Sequence, residues 1–243
     1  MATLATPRIQ SPKAHPRAQF VLNDQIRIPA DIHDLESFRR WCRSSDYPER
    51  GDVFWFGGTF WVNNDMEQAY THSLIQLAIA TALTTITQHL KNGHVFGDRM
   101  RFSNTATDVS CEPDVMFISL ETIRNKRVRQ IPAETGGVIE FEGSPDIVVE
   151  VVSESSEDKD EEMKDRYFSA GIQEYWIADG RREMSRFEIF RRGETEYETT
   201  PADGRWVRSE VLRRSFQLVR EADEFGNPTF RLAMSDELQS SPA

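Results

Sequence analysis

Ile147, Val148, Val149, Val151 and Val152 form an apolar run that is broken only by Glu150. A short apolar run without alternation marks a strand buried on both faces, the centre of a sheet rather than its edge. Burying a carboxylate there without compensation would cost several kcal/mol, so Glu150 demands a partner. A metal ion is one effective partner. Asp114 is the natural companion, because it opens a second apolar strand, residues 115–118, directly after Pro113. Two carboxylates on neighbouring strands that face a common cleft make a hard-oxygen clamp for Mg2+ or Mn2+. An ion held this way polarises a phosphoryl oxygen and lowers the pKa of a bound water. The competing reading is a structural Glu150, hydrogen-bonded to nearby backbone or paired with Lys164 or Arg166.

The chain of 243 residues is long enough to bury a real core, and 38% hydrophobic with 28% charged residues is a globular balance. No Pro/Gly-rich or polar linker divides it, so one ordered domain is expected over residues 20–233, between disordered tails at 1–19 and 234–243. No apolar run approaches the roughly 20 residues that cross a bilayer. The N-terminal stretch lacks the apolar segment of a signal peptide; it has no acid, so a transit peptide is the alternative to a tail. Cys42 and Cys111 share no metal or redox spacing and read as reduced core thiols of a cytoplasmic protein. Forty acids against 29 bases give a net charge of −11, which argues against broad non-specific nucleic-acid binding by a monomer. A local basic patch remains compatible with that charge. The best is RNKRVR, residues 124–129, whose bland reading is a solvated loop or helix end.

Periodicity and punctuation outline the elements. Residues 34–42 read as a short helix with Asp34 as N-cap and Leu35, Phe38 and Trp41 on one face. Residues 53–56 and 59–62 form a hairpin about Gly57-Gly58. A long helix is expected from Asp65 to about Lys91, with Leu74, Leu77, Ala78, Leu83 and Leu90 on its apolar side and Asn92-Gly93 as its stop. Strands follow at 94–96, 100–103, 115–118 and 147–152. A helix over 154–170 stopped by Gly171, a buried strand at 174–178 and sheet-edge strands beyond complete an α/β architecture.

The segments EPDVMFIS and SPDIVVEVVSESSEDKDEEMKDRYFSAGIQEYWIAD closely resemble the Uma family of restriction-endonuclease-like proteins, in the PD-(D/E)xK nuclease superfamily. Weaker matches are the hairpin at Gly57-Gly58 with the helix carrying His72, and GRWVRSEVLRRSFQLV at 204–219. The resemblance implies a restriction-endonuclease-like mixed β-sheet flanked by helices, with an additional N-terminal hairpin and C-terminal strands. It also implies a metal-dependent endonuclease hydrolysing DNA phosphodiester bonds. Asp114 and Glu150 would bind Mg2+ or Mn2+, and the carbonyl of Val151 would complete the coordination. The chain departs from the superfamily pattern at Val152, which stands where the lysine of the x-K pair is expected. The resembling family carries that lysine on the following helix. Lys164, three residues before Tyr167, is preferred here, and Lys159 is the second candidate.

His72 either approaches this site or is a satisfied core histidine. Glu67, one turn earlier, is a third carboxylate or a surface charge. Asp146 reads as a turn residue and Tyr175-Trp176 as core. A homodimer would place two sites for the two strands of a duplex. The rival to catalysis is a nuclease fold retained as an interaction or dimerisation module, which Val152 and the acidic surface favour.

Overall fold

The computed structural model describes residues 19–22, 26–48, 51–63, 68–97, 99–133, 136–153 and 159–235. Apart from Gln19, Met234 and Ser235, the expected tails lie outside these residues, as do Glu67 and residues 154–158 of the acidic segment. The strands begin with β1 (Gln19–Leu22), β2 (Ile26–Pro29), β3 (Asp52–Phe56), β4 (Thr59–Asn63), β5 (Gly93–Gly97), β6 (Arg101–Asn104) and β7 (Val109–Cys111). Next come β8 (Val115–Ser119), β9 (Val128–Pro132), β10 (Val138–Gly143), β11 (Ile147–Val151), β12 (Glu174–Asp179) and β13 (Arg186–Arg192). The last are β14 (Tyr197–Thr199), β15 (Ala202–Asp203), β16 (Trp206–Ser209), β17 (Arg214–Ala222) and β18 (Pro228–Met234). The α-helices are α1 (Leu35–Cys42), α2 (Leu74–Leu90), α3 (Leu120–Arg124) and α4 (Lys159–Ser169).

As its apolar run requires, β11 lies inside a six-stranded mixed sheet of order β14-β13-β12-β11-β8-β5. It pairs antiparallel with β8 and parallel with β12. The hairpin at Gly57-Gly58 forms as expected, but it is not an appendage to this sheet. It is one edge of a second six-stranded sheet, β4-β3-β7-β6-β10-β9. The C-terminal strands follow the sheet-edge expectation in part: β13 and β14 form one edge of the central sheet, while β15 to β18 form a four-stranded sheet of their own.

The alternation of β11 divides the interior into two cores. Val148 and Val152 belong to one, with Phe102 and Phe141 of the second sheet and Met163 and Tyr167 of α4. Ile147, Val149 and Val151 belong to the other, with Ile75 and Ile79 of α2 and Phe216 and Leu232 of the C-terminal sheet. Glu150 shares the parity of Val148 and Val152, so its side chain belongs to the α4 face.

Local chemistry sets the helix boundaries. Asp34 caps α1 as expected: Ser37 N donates to its Oδ1 at 2.7 Å in a capping box. A π-helical turn, Ala69–Ser73, leads into α2. The buried stripe of α2 is Ile75, Ile79, Ala82, Leu83 and Ile86, whereas Leu77 is 62% exposed and Leu90 38%. This corrects the expected apolar side, because Leu, Ile and Ala stand on more than one face of this helix and its tertiary partners select the stripe. The stop is also displaced. Lys91 takes the left-handed conformation, φ 50°, and Gly93 already begins β5. Gly93 is needed for space: a Cβ there would lie 2.3 Å from the Phe117 ring.

Candidate active site

β8 and β11 pair antiparallel as far as Val115 with Val149; Asp114 immediately precedes β8 and Glu150 immediately follows Val149 in β11, so both carboxylates lie at the same end of this strand pair. Each carboxylate has donors of its own. Asp114 Oδ2 accepts the Val151 N–H at 2.7 Å and lies 3.4 Å from His72 Nε2. Gln76, one turn after His72, donates its Nε2 to the Asp114 carbonyl at 2.9 Å. The start of α2 therefore grips Asp114 at both backbone and side chain. On the other carboxylate, Tyr167 Oη donates to Glu150 Oε1.

Tyr167 is fully buried on α4, with the Cys111 thiol 3.9 Å from its hydroxyl. Burial, then the neighbouring Cys111 and Glu150, push the Tyr167 pKa well above its ordinary value. Tyr167 thus remains a hydrogen-bond donor across the physiological range. Burial likewise raises the Cys111 thiol and keeps it protonated.

The turn that delivers Asp114 is anchored from below. Glu112 pairs with Arg101 at 2.5 Å, with side-chain exposures of 6% and 4%. Arg101 also donates to Tyr47 Oη at 2.7 Å and to Ser110 Oγ at 3.1 Å. Asp146 is buried and accepts from Ser119 N and Thr122 Oγ1, a structural role in the turn before β11. Tyr175 and Trp176 are fully buried core.

The structure thus brings His72 and the Val151 N–H onto Asp114, with Glu150 the residue before Val151 in β11. Lys164 stands one turn before Tyr167, and its Nζ rests 4.1 Å from the centroid of the Phe190 ring on β13. Lys159 opens α4, and its side chain lies outside the described residues. Val152, in the superfamily's lysine position, is 2% exposed within the α4-side core. Sequence reasoning gave no site role to Tyr167, Gln76 or Arg101. The one available signal was Tyr167 itself, an aromatic hydroxyl four residues after Met163 on an otherwise charged helix.

Among the described residues, no three or more His, Cys, Asp or Glu side chains form a metal-binding group. The donor set nonetheless fits Mg2+ or Mn2+. Mg2+ is typically bound by one or two carboxylates, with water and substrate phosphate completing its shell. Asp114 and Glu150 supply that pair in hard oxygens.

A mixed central sheet flanked by α2 and α4 matches a restriction-endonuclease-like nuclease fold. The chain belongs to the Uma2 family, described as "Putative restriction endonuclease", whose profile matches residues 35–221. Among solved structures it is similar to a protein of Anabaena variabilis described as a "putative nuclease belonging to DUF820". The TM-score is 0.53 at 17% identity, over 74% of this chain and 90% of that one, a likeness of fold. No curated protein matched the chain.

Proposed function

We propose that this chain is a Mg2+- or Mn2+-dependent endonuclease that hydrolyses DNA phosphodiester bonds. The observation that supports this reading is the placement of Asp114 and Glu150 at one end of the β8–β11 pair, with the Val151 N–H donating to Asp114 and the Tyr167 hydroxyl to Glu150. Asp114 and Glu150, with the carbonyl of Val151, would hold the ion. The ion would supply Lewis acidity toward a phosphoryl oxygen and a more acidic water.

The protein's own groups do the remaining work. His72 and the Val151 N–H fix the orientation of Asp114. Tyr167 fixes the orientation of Glu150 through its Oε1. Lys164 is the cation assigned to the attacking water. To serve, its ammonium must leave the Phe190 ring, a contact worth about 0.5–1 kcal/mol at an exposed site. Two copies of the chain, one for each strand, would complete a double-strand cut.

One observation favours a second reading, a nuclease-fold interaction module without catalysis: the lysine position is filled by buried Val152. Cleavage of plasmid DNA with Mn2+ separates the two. The wild type is expected to cut, Asp114→Asn to abolish cutting, and EDTA to abolish it as well. Cutting that survives Asp114→Asn would remove the proposed centre.

A further inference from the structure

The run at 124–129 carries four cations, and no acid occurs between Thr122 and Ala133. In a chain of net charge −11 this is a concentrated exception. Arg124 to Arg127 and Arg129 are exposed, while Val128 turns inward and pins the segment to the core. The loop is also held by its own backbone: Lys126 N donates to Ile123 O at 3.1 Å and Arg127 N to Thr122 O at 3.0 Å. Lys126 sits in the left-handed region, φ 57°. Gly143, at the end of β10, allows the two backbones to close on each other, since a Cβ there would meet Arg127 O at 2.0 Å.

This packing leaves a cleft of about 500 Å3 whose lining includes Thr105, Lys126, Arg127, Arg129 and Glu142. The Glu142 carboxylate is already answered, by Arg39 Nη2 and Arg129 Nη2, each at 2.7 Å. Lys126 has no ion-pair partner among the described residues. Arg127 Nη1 lies 3.9 Å from the Asp146 carboxylate, so Lys126 is the cation that gives the concave surface its excess positive charge, which suits a phosphate and not a cation.

We propose that this cleft seats a phosphodiester of the duplex DNA backbone, a positioning contact away from the reacting bond; this rests on the DNA-cleaving reading above. Gly143 and Glu150 are seven residues apart in sequence, so they lie within about 25 Å of each other. At about 3.4 Å of axial rise per nucleotide, one DNA strand spans that distance in about seven nucleotides. The rest of the acidic surface repels DNA, so a local cationic cleft decides where the backbone lies.

The test is fluorescence anisotropy of a labelled duplex in EDTA, titrated at several salt concentrations, with wild type, Lys126→Asn and Lys126→Asn/Arg127→Gln. Asparagine tolerates the left-handed backbone at this position, so the charge is removed without strain. The salt slope is expected to fall by about 1 for each cation removed, and the double variant to bind roughly tenfold more weakly. Wild-type binding with an unchanged slope and affinity in the double variant would overturn the cleft and leave the cleavage reading standing. A wild type that binds no duplex, with or without Mn2+, would overturn both.

Discussion

Tyr167 makes Glu150 tolerable in the middle of an apolar strand, because its buried hydroxyl answers one carboxylate oxygen. Replacing it with phenylalanine keeps the ring and removes the donor. Tyr167→Phe is therefore expected to lower stability by about 1–2 kcal/mol in urea unfolding, the loss of a hydrogen bond to a half-buried carboxylate. No loss of stability would show that Glu150 is solvated at that oxygen. Asp114 and Glu150 stand out as candidates in the sequence because each interrupts or borders an apolar run. Tyr167, Gln76 and the Arg101–Glu112 pair were not legible. Their partners lie 17, 38 and 11 residues away along the chain, and nothing local marks them.

Among the elements, α2 shows where pattern reasoning stops. Its existence follows from composition, but apolar residues on more than one face offer several stripes, and the strands it packs against, β5, β8 and β18, decide which is buried. Ile79, fully buried, and Leu77, largely exposed, sit two residues apart. Ile79→Ala is expected to destabilise by about 2–5 kcal/mol, and Leu77→Ala by less than about 0.5 kcal/mol, in denaturant titration. The reverse ranking would mean that the helix is rotated from the position described. The α1 cap and the Gly57-Gly58 hairpin were read correctly because each is closed by residues a few positions apart. Assignment of that hairpin to a second sheet was not readable, since β3 meets β7 across more than fifty residues of chain.

For the molecule as a whole, the two six-stranded sheets and their shared core fix the site, while ion pairs tune how the fold responds to acid. Burial pushes Glu142 and Asp179 upward, but hydrogen bonds from Arg39 and Arg129 on one, and from Arg181 on the other, outweigh it. Both pKa values fall below their ordinary 4.5 and 3.8. A carboxylate with a depressed folded-state pKa contributes stability that is present above its unfolded value and lost as pH falls through the folded one. Glu174 runs the other way, because burial raises it despite donors from Ser209, Val211 and Trp176. Glu142→Gln is thus expected to flatten the loss of thermal stability between about pH 5 and 3, and an unchanged acid limb would contradict that pairing. No helix among the described residues is long and apolar enough to cross a membrane.

The proposed two-carboxylate centre is tested most directly by calorimetric titration of Mn2+ into the wild type and the Asp114→Ala/Glu150→Ala double variant. Saturable binding by the wild type, lost in the double variant, is the predicted result. Identical isotherms for the two proteins, or no binding by the wild type at millimolar Mn2+, would contradict it.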